Sequence, residues 1–179
     1  MESVILYGSR YGSAQRYAQA LSQQTGISAL PTDQAGDRSP SGRVVFLGGV
    51  YAGGVRGLAK TVRALKPGQA LLVATVGLAD PNDPVNAANL RSFVRRVLPA
   101  ERAETTPIFH LRGGIDYQRL SFPHRTMMAL LYRQVQKKPI EQRSAEERAI
   151  ADTYGKAVDF VDFQTLDGLL QAIEKGSDA

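Results

Sequence analysis

Residues 8–15 read Gly-Ser-Arg-Tyr-Gly-Ser-Ala-Gln, between an apolar run, Val4–Tyr7, and a helical pattern carried by Ala14, Tyr17, Ala18 and Leu21. A helix starting at that point turns unpaired backbone N–H groups and the positive end of its dipole toward the loop. Ser9 and Ser13 add hydroxyl donors, and the glycines let the backbone come close. A phosphate is the guest such a loop would take. The same residues also suit an ordinary strand-to-helix turn with serine as the cap. Other phosphate chemistries are excluded, because the chain has neither GxxxxGK[ST] nor GxGxxG. Tyr7-Gly8-Ser9 offers no acidic metal ligand, and without cysteine there is no thiolate nucleophile.

Two further loops favour a ligand. One apolar run ends in "LGGVYAGGVRGL", where glycines surround Tyr51, and another ends in "TVGLADPNDP". An aromatic held in a glycine-rich loop beside a phosphate site can stack on a flat ring. Together the three loops suit one ligand made of a phosphate, a chain and a planar ring.

The elements that must position these loops follow from hydrophobic pattern. Apolar runs occur at Val4–Tyr7, Val44–Leu47, Ala70–Val76 and Pro107–Leu111, with a weaker one at Ile27–Leu30. Continuous rather than alternating runs indicate parallel strands covered on both faces. Between them Val55, Leu58, Ala59, Val62 and Leu65 follow helical steps. A second helix opens at Asp83-Pro84 and carries Leu90, Phe93, Val94 and Val97. The alternation predicts a doubly wound parallel sheet, whose ligands sit beyond the carboxyl ends of the strands. His110, inside the last of these strands, reads as a core residue.

After that strand the rhythm breaks. "FQTLDGLLQAIEKG" supplies the closing helix, but about fifty residues intervene. "SFPHRTMMALLYRQVQKK" reads as one helix and "SAEERAIADTYG" as another, opened by a Ser144…Glu147 capping box and ended by Gly155. The segment at about 116–160 has too few apolar residues for a core of its own. It is read as an insertion within a single domain spanning 1–179.

Composition sets further limits. The chain has 179 residues, 43% of them hydrophobic, and a net charge of +5. Five Lys/Arg and no acid lie between Gln118 and Lys138, which equals the whole net charge. The positive charge is therefore concentrated in the insertion, and this argues for an anionic surface there rather than for nucleic acid. Two isolated histidines and no cysteine argue against a metal centre. No long apolar span or leader is evident, so a cytoplasmic setting is expected.

The element order, the S-x-x-G loop at Ser9–Gln15, "GGVYAGGV" and "GGIDYQRLSFPHRTMMALLYR" together resemble the flavodoxin family. Within it they are most similar to the flavodoxin-type, menaquinone-dependent protoporphyrinogen dehydrogenases. The resemblance implies a five-stranded parallel sheet of order 2-1-3-4-5, with a helical insertion after the fifth strand, and FMN as cofactor. By resemblance Ser9, Arg10, Tyr11, Gly12, Ser13 and Ala14 would hold the phosphate. Gly49, Val50, Tyr51, Ala52 and Gly53 would line one side of the ring, and Thr75, Val76, Gly77, Leu78 and Ala79 the other. Ala14 stands where the family usually has a hydroxyl, and Arg10 and Arg16 are candidates to compensate electrostatically. Asp116, Tyr117 and His124 are candidates for substrate contact.

The expected function is an FMN-dependent oxidoreductase that oxidises a porphyrinogen and passes electrons to a quinone. Its basic helix would touch anionic membrane through 118–138 at the inner face. Two other functions remain open: a flavodoxin-like electron carrier for a protein partner, and a flavin-free protein-binding module.

Overall fold

The computed structural model describes residues 3–35, 42–51 and 54–175. Five strands run parallel: β1 (Val4–Gly8), β2 (Ala29–Pro31), β3 (Val44–Tyr51), β5 (Leu71–Gly77) and β6 (Ile108–Arg112). They lie in the order β2-β1-β3-β5-β6. A short β4 (Gly54–Val55) folds back antiparallel on the end of β3, pairing Val50 with Val55 and Tyr51 with Gly54. With that stub set aside, the order is the expected 2-1-3-4-5.

Successive strand residues point to opposite faces, and both faces are buried. Ile5, Val45, Leu47, Leu72 and Ala74 pack against Tyr17 and Leu21 of α1 (Ser13–Thr25) and Leu169 and Ile173 of α7 (Asp167–Lys175). On the other side Leu6, Phe46 and Val73 meet Leu58 of α2 (Leu58–Ala64) and Val94 of α3 (Pro84–Val97). Double-sided burial is why these strands carry no polar alternation. Each fully buried large side chain contributes ~1.5–3 kcal/mol of transfer free energy. One element departs from the pattern: Val55, in phase with the helical positions that follow it, belongs to β4, and α2 begins only at Leu58 after Gly57. A single turn α4 (Ala100–Ala103) follows α3.

The insertion leaves and re-enters through a narrow ribbon. Just beyond β6, β7 (Gly114–Asp116) pairs antiparallel with β8 (Ala157–Asp159), in the register Gly114↔Asp159, Ile115↔Val158 and Asp116↔Ala157. Between them stand α5 (Phe122–Gln136) and α6 (Ala145–Thr153). The α6 start is the capping box read from sequence: Ser144 Oγ accepts from the Glu147 N–H, and Glu147 accepts from the Ser144 N–H.

Three interactions fix the insertion to the sheet. Asp83 caps α3 by accepting from the Val85 and Asn86 amides, and its other oxygen pairs with Arg148 of α6 at 2.9 Å. Arg16 of α1 pairs with Asp159 of β8 at 2.7 Å. The fully buried Tyr17 donates its hydroxyl to the Arg112 carbonyl and accepts from the Asp162 N–H, clamping the strand before the insertion to the segment after it. Among the described residues, no helix is long and apolar enough to cross a membrane.

Candidate functional site

The chain departs from β1 toward β2 on one side and later returns to β3 on the other, so β1 and β3 form the switch point of the sheet. Their carboxyl ends carry the first loop and the β3–β4 hairpin. In the loop, Ser9 Oγ accepts the Gly12 N–H at 3.2 Å, and Ser13 Oγ accepts the Gly114 N–H at 3.0 Å. A hydroxyl that accepts through its oxygen keeps its own proton to donate. Both serines therefore hold the loop in shape and still offer O–H groups.

Gly12, at φ 99°, makes the turn into α1 in a left-handed conformation that costs a side-chain-bearing residue strain. No side chain caps α1, so the serine-capped turn suggested by the sequence is not what the loop forms. The first-turn amides stay available in the loop, beside the positive end of the helix dipole. Ala14 contributes only backbone here, because its methyl is buried. Arg16 is ion-paired with Asp159 and is not among the residues lining the cavity. Arg10 remains exposed at the loop.

Tyr51 sits at the end of β3 with its ring against Gly49, where a Cβ would come within 2.8 Å of the ring. Its ring centre is 6.3 Å from that of Tyr11. Burial raises the Tyr51 hydroxyl above the usual phenol range, with Tyr11 adding to the effect, while the amides of Arg10 and Tyr11 and the charge of Arg56 work against it. The hairpin aromatic is thus neutral and lodged against the first loop. Ala52 and Gly53 lie outside the described residues.

A cavity of about 580 Å³ opens along this edge. One end is lined by Ser9, Tyr11, Ser13, Ala14, Gly49, Val50 and Tyr51, and the β5 loop adds Val76, Gly77, Leu78 and Ala79. The insertion covers the other end: Met127, Met128, Leu131 and Val135 of α5 and Ile150 of α6 face Leu90 and Phe93 of α3 across it. The apolar stripe of α5 therefore looks into the cavity, at the helical spacing of one face. The opposite side of the helix leaves Phe122 82% and Leu130 55% exposed.

His124 joins the two ends. Its Nδ1 is hydrogen-bonded to the Tyr11 hydroxyl, and the two rings meet edge to face. Burial lowers its pKa below the usual imidazole value, and the nearby charges of Arg10 and Arg56 push the same way.

Other expected residues are placed elsewhere. Thr75 is wholly buried on the α3 face and meets His110 Nδ1 at 2.8 Å rather than lining the cavity. His110 is driven down to about 4 by burial, with Arg91 adding to it, which makes it a neutral interior group. Asp116 caps the short helical turn Tyr117–Arg119 by accepting from the Gln118 N–H. Tyr117 is buried against Tyr154, which stacks in turn on Tyr132 at 4.0 Å. Asp116 and Tyr117 thus belong to the neck of the insertion, and of the three substrate candidates only His124 reaches the cavity. Sequence reading missed Gly113, Gly114, Asn89, Phe93 and Glu146, all on the cavity wall. Phe93 was in the helical pattern, and Gly113 and Gly114 open the segment quoted for the resemblance, but none was assigned to the site; Asn89 and Glu146 carry no local motif.

The parallel sheet and the cavity at its switch point define an α/β ligand-binding architecture. A family model described as flavodoxin domain matches residues 4–142, and the chain belongs to that family, whose members bind flavin. Among solved structures, an alanine-for-cysteine variant of flavodoxin from Pseudomonas aeruginosa is similar at 21% identity and TM-score 0.39, covering 73% of this chain and 93% of that one. A serine-for-cysteine variant of the same flavodoxin gives 18% identity and TM-score 0.38 with the same coverage. No curated protein matches.

The residues present suit a phosphate-bearing flavin. The uncapped α1 start and two serine protons suit the phosphate, and the cavity beside Tyr51 and the β5 loop is concave and mainly apolar, as a ring site should be.

Proposed function

We propose that the protein is an FMN-dependent oxidoreductase acting on an apolar, ring-shaped substrate, with a porphyrinogen as the leading candidate and a quinone as electron acceptor. The observation that carries this reading is the continuity of one cavity from the phosphate-type loop to an apolar chamber roofed by α5 and α6. An electron carrier needs its flavin edge presented to a protein partner. A roof of methionines and leucine over that edge suits a small substrate better.

The flavin, when bound, would supply two-electron redox chemistry. The chain's own groups would do the rest. Ser9 and Ser13 would donate to phosphate oxygens together with the amides of the first turn of α1, and Arg10 would add positive charge at the rim. The segments 49–51 and 76–79 would border the ring and offer backbone amides to its edge. Met127, Met128 and Leu131 would exclude water from the reacting face and supply adaptable apolar contact.

The membrane contact belongs to the same reading. Phe122 and Leu130 project from the outer side of α5, in a segment with five Lys/Arg and no acid between 118 and 138, of which Lys138 is paired with Glu147 of α6. Anionic lipid attracts each nearby Lys or Arg by ~1 kcal/mol, and an apolar quinone would be met at that surface. The protein would then be cytoplasmic and peripheral at the inner face of the membrane.

Turnover tests the proposal. FMN-loaded protein given protoporphyrinogen and a menaquinone analogue should form porphyrin and quinol together, at a rate that depends on both. Flavin bound tightly but with no porphyrin formed would favour the electron-carrier reading. Absence of flavin binding would favour the protein-binding module.

A further inference from the structure

Six polar side chains are buried among the described residues: Thr32, Thr61, Gln69, Thr75, Asn86 and Thr153. Of these only Asn86 lines the cavity. It stands in the first turn of α3, 6% exposed, with both its backbone and its side chain held in place. Its N–H donates to the Asp83 carboxylate at 3.0 Å, and its side-chain Nδ2 donates to the Asp80 carbonyl at 2.7 Å. A carbonyl oxygen only accepts, so the nitrogen must be the end that faces Asp80, and the orientation of the amide follows from chemistry. Oδ1 is then left without a partner among the described residues. Thr61 Oγ1, His110 Nε2 and the Tyr117 hydroxyl are unpartnered too, but those atoms are sealed in the interior, whereas Asn86 belongs to a cavity wall. Leu90 follows it one turn along α3, and Ala79 and Ile150 line the same cavity, so this acceptor is set in apolar surroundings. A polar group fixed in such a wall is what orients a ligand and sets its specificity. A ligand that covered Oδ1 without offering a donor would leave it unsatisfied at a cost in affinity.

We propose that Asn86 Oδ1 is a specificity contact of the cavity, accepting a hydrogen bond from an N–H or O–H group on the edge of a planar ring ligand. The proposal deepens the proposed function and rests on it for the ring shape of the ligand. The donor has two sources: the imide N–H of a flavin ring, or a donor on a second ring held beneath the insertion. An anion, or a ring whose edge carries acceptors alone, would not satisfy Oδ1.

Matched ligand pairs that differ only by a methyl group on the donor separate recognition from packing. Riboflavin and its imide N-methyl derivative probe the first source. Naphthol and its methyl ether, added with and without FMN, probe the second. Binding of all four is measured by fluorescence on full-length native protein, Asn86→Leu and Asn86→Ala, with thermal unfolding recorded for each. Leu removes the polar atoms at similar size, and Ala serves if the Leu variant does not fold. Both changes also take a donor from the Asp80 carbonyl, but a purely structural effect would weaken both members of a pair alike. Native protein should prefer the unmethylated member of at least one pair by roughly tenfold or more, and the variants should reduce that preference to about twofold or less. The pair that shows the preference identifies the source of the donor. No preference by native protein in either pair, whether from equal binding or from none, would overturn the assignment, as would a preference kept in the variants. If no flavin binds while the naphthol pair behaves as expected, the flavin reading falls and the role of Asn86 stands. If FMN binds while neither pair is discriminated, the flavin reading stands and the role of Asn86 falls.

Discussion

The Tyr11 hydroxyl is hydrogen-bonded to His124 Nδ1 across 113 residues of sequence, joining the first loop to the helix that roofs the cavity. One residue belongs to the loop that would hold a phosphate and the other to the insertion, so closure of the roof and order in the loop are linked. Tyr11→Phe and His124→Ala should each loosen α5. We expect faster amide exchange and proteolysis within 118–138, with the sheet core unaffected. Unchanged protection in both variants would remove the link.

The same pair predicts a pH dependence. His124 has its pKa lowered in the folded protein by burial and by Arg10 and Arg56. A group depressed in this way contributes stability that is fully present above its unfolded value, about 6.5, and is lost as pH falls through its folded value. Docking of the insertion should therefore weaken on acidification below about pH 6.5, and His124→Gln should remove that part of the dependence. Exchange rates across 118–138, followed against pH in both proteins, give the check.

Ser13 stands at the start of α1, with its oxygen accepting from Gly114. Ser13→Asp would put a negative charge where the phosphate is proposed to sit, and FMN affinity should fall by at least roughly tenfold. Riboflavin has no phosphate and should lose much less. Equal losses for the two ligands would show that the substitution disturbed the ring site or the fold instead.

Tyr17 gives a prediction about stability. Its hydroxyl serves both Arg112 and Asp162 from inside the core, and Tyr17→Phe would leave a carbonyl and an amide without that partner. A loss of ~1–3 kcal/mol is expected, measured by denaturant unfolding. A change within experimental scatter would mean that water replaces the hydroxyl at no cost.

The outer side of α5 supplies a further prediction. Native protein should bind anionic vesicles weakly and lose that binding in salt, while Arg133→Glu/Lys137→Glu should abolish it. Phe122→Ser should weaken binding without changing its salt dependence. Equal binding to neutral and anionic vesicles, or none to either, would remove the membrane contact.

The sheet was legible from sequence because double-sided burial forces largely apolar runs such as Val44–Leu47 and Ala70–Val76, and the α3 and α6 starts were legible because Asp83 and Ser144 are local caps. The chemistry proposed for the first loop likewise lies in consecutive residues, of which Ser9, Tyr11, Ser13 and Ala14 reach the cavity wall. The far end of the cavity could not be read in this way. Glu146, Met127 and Phe93 come together only because the β7–β8 ribbon folds the insertion back over α3, and no spacing within one segment encodes that. Asp116 and Tyr117 misled for the matching reason: polar residues beside a site in sequence were absorbed by a turn cap and an aromatic stack.

On the proposed function, this edge of the sheet holds FMN by its phosphate. Titration of purified, ligand-stripped protein with FMN, FAD and riboflavin tests it most directly, read by quenching of flavin fluorescence beside Tyr51. Saturable one-to-one binding of FMN is expected, tighter than either FAD or riboflavin, with Tyr51→Ala weakening it by ~0.5–1.5 kcal/mol. No saturable binding, or riboflavin bound as tightly as FMN, would contradict it.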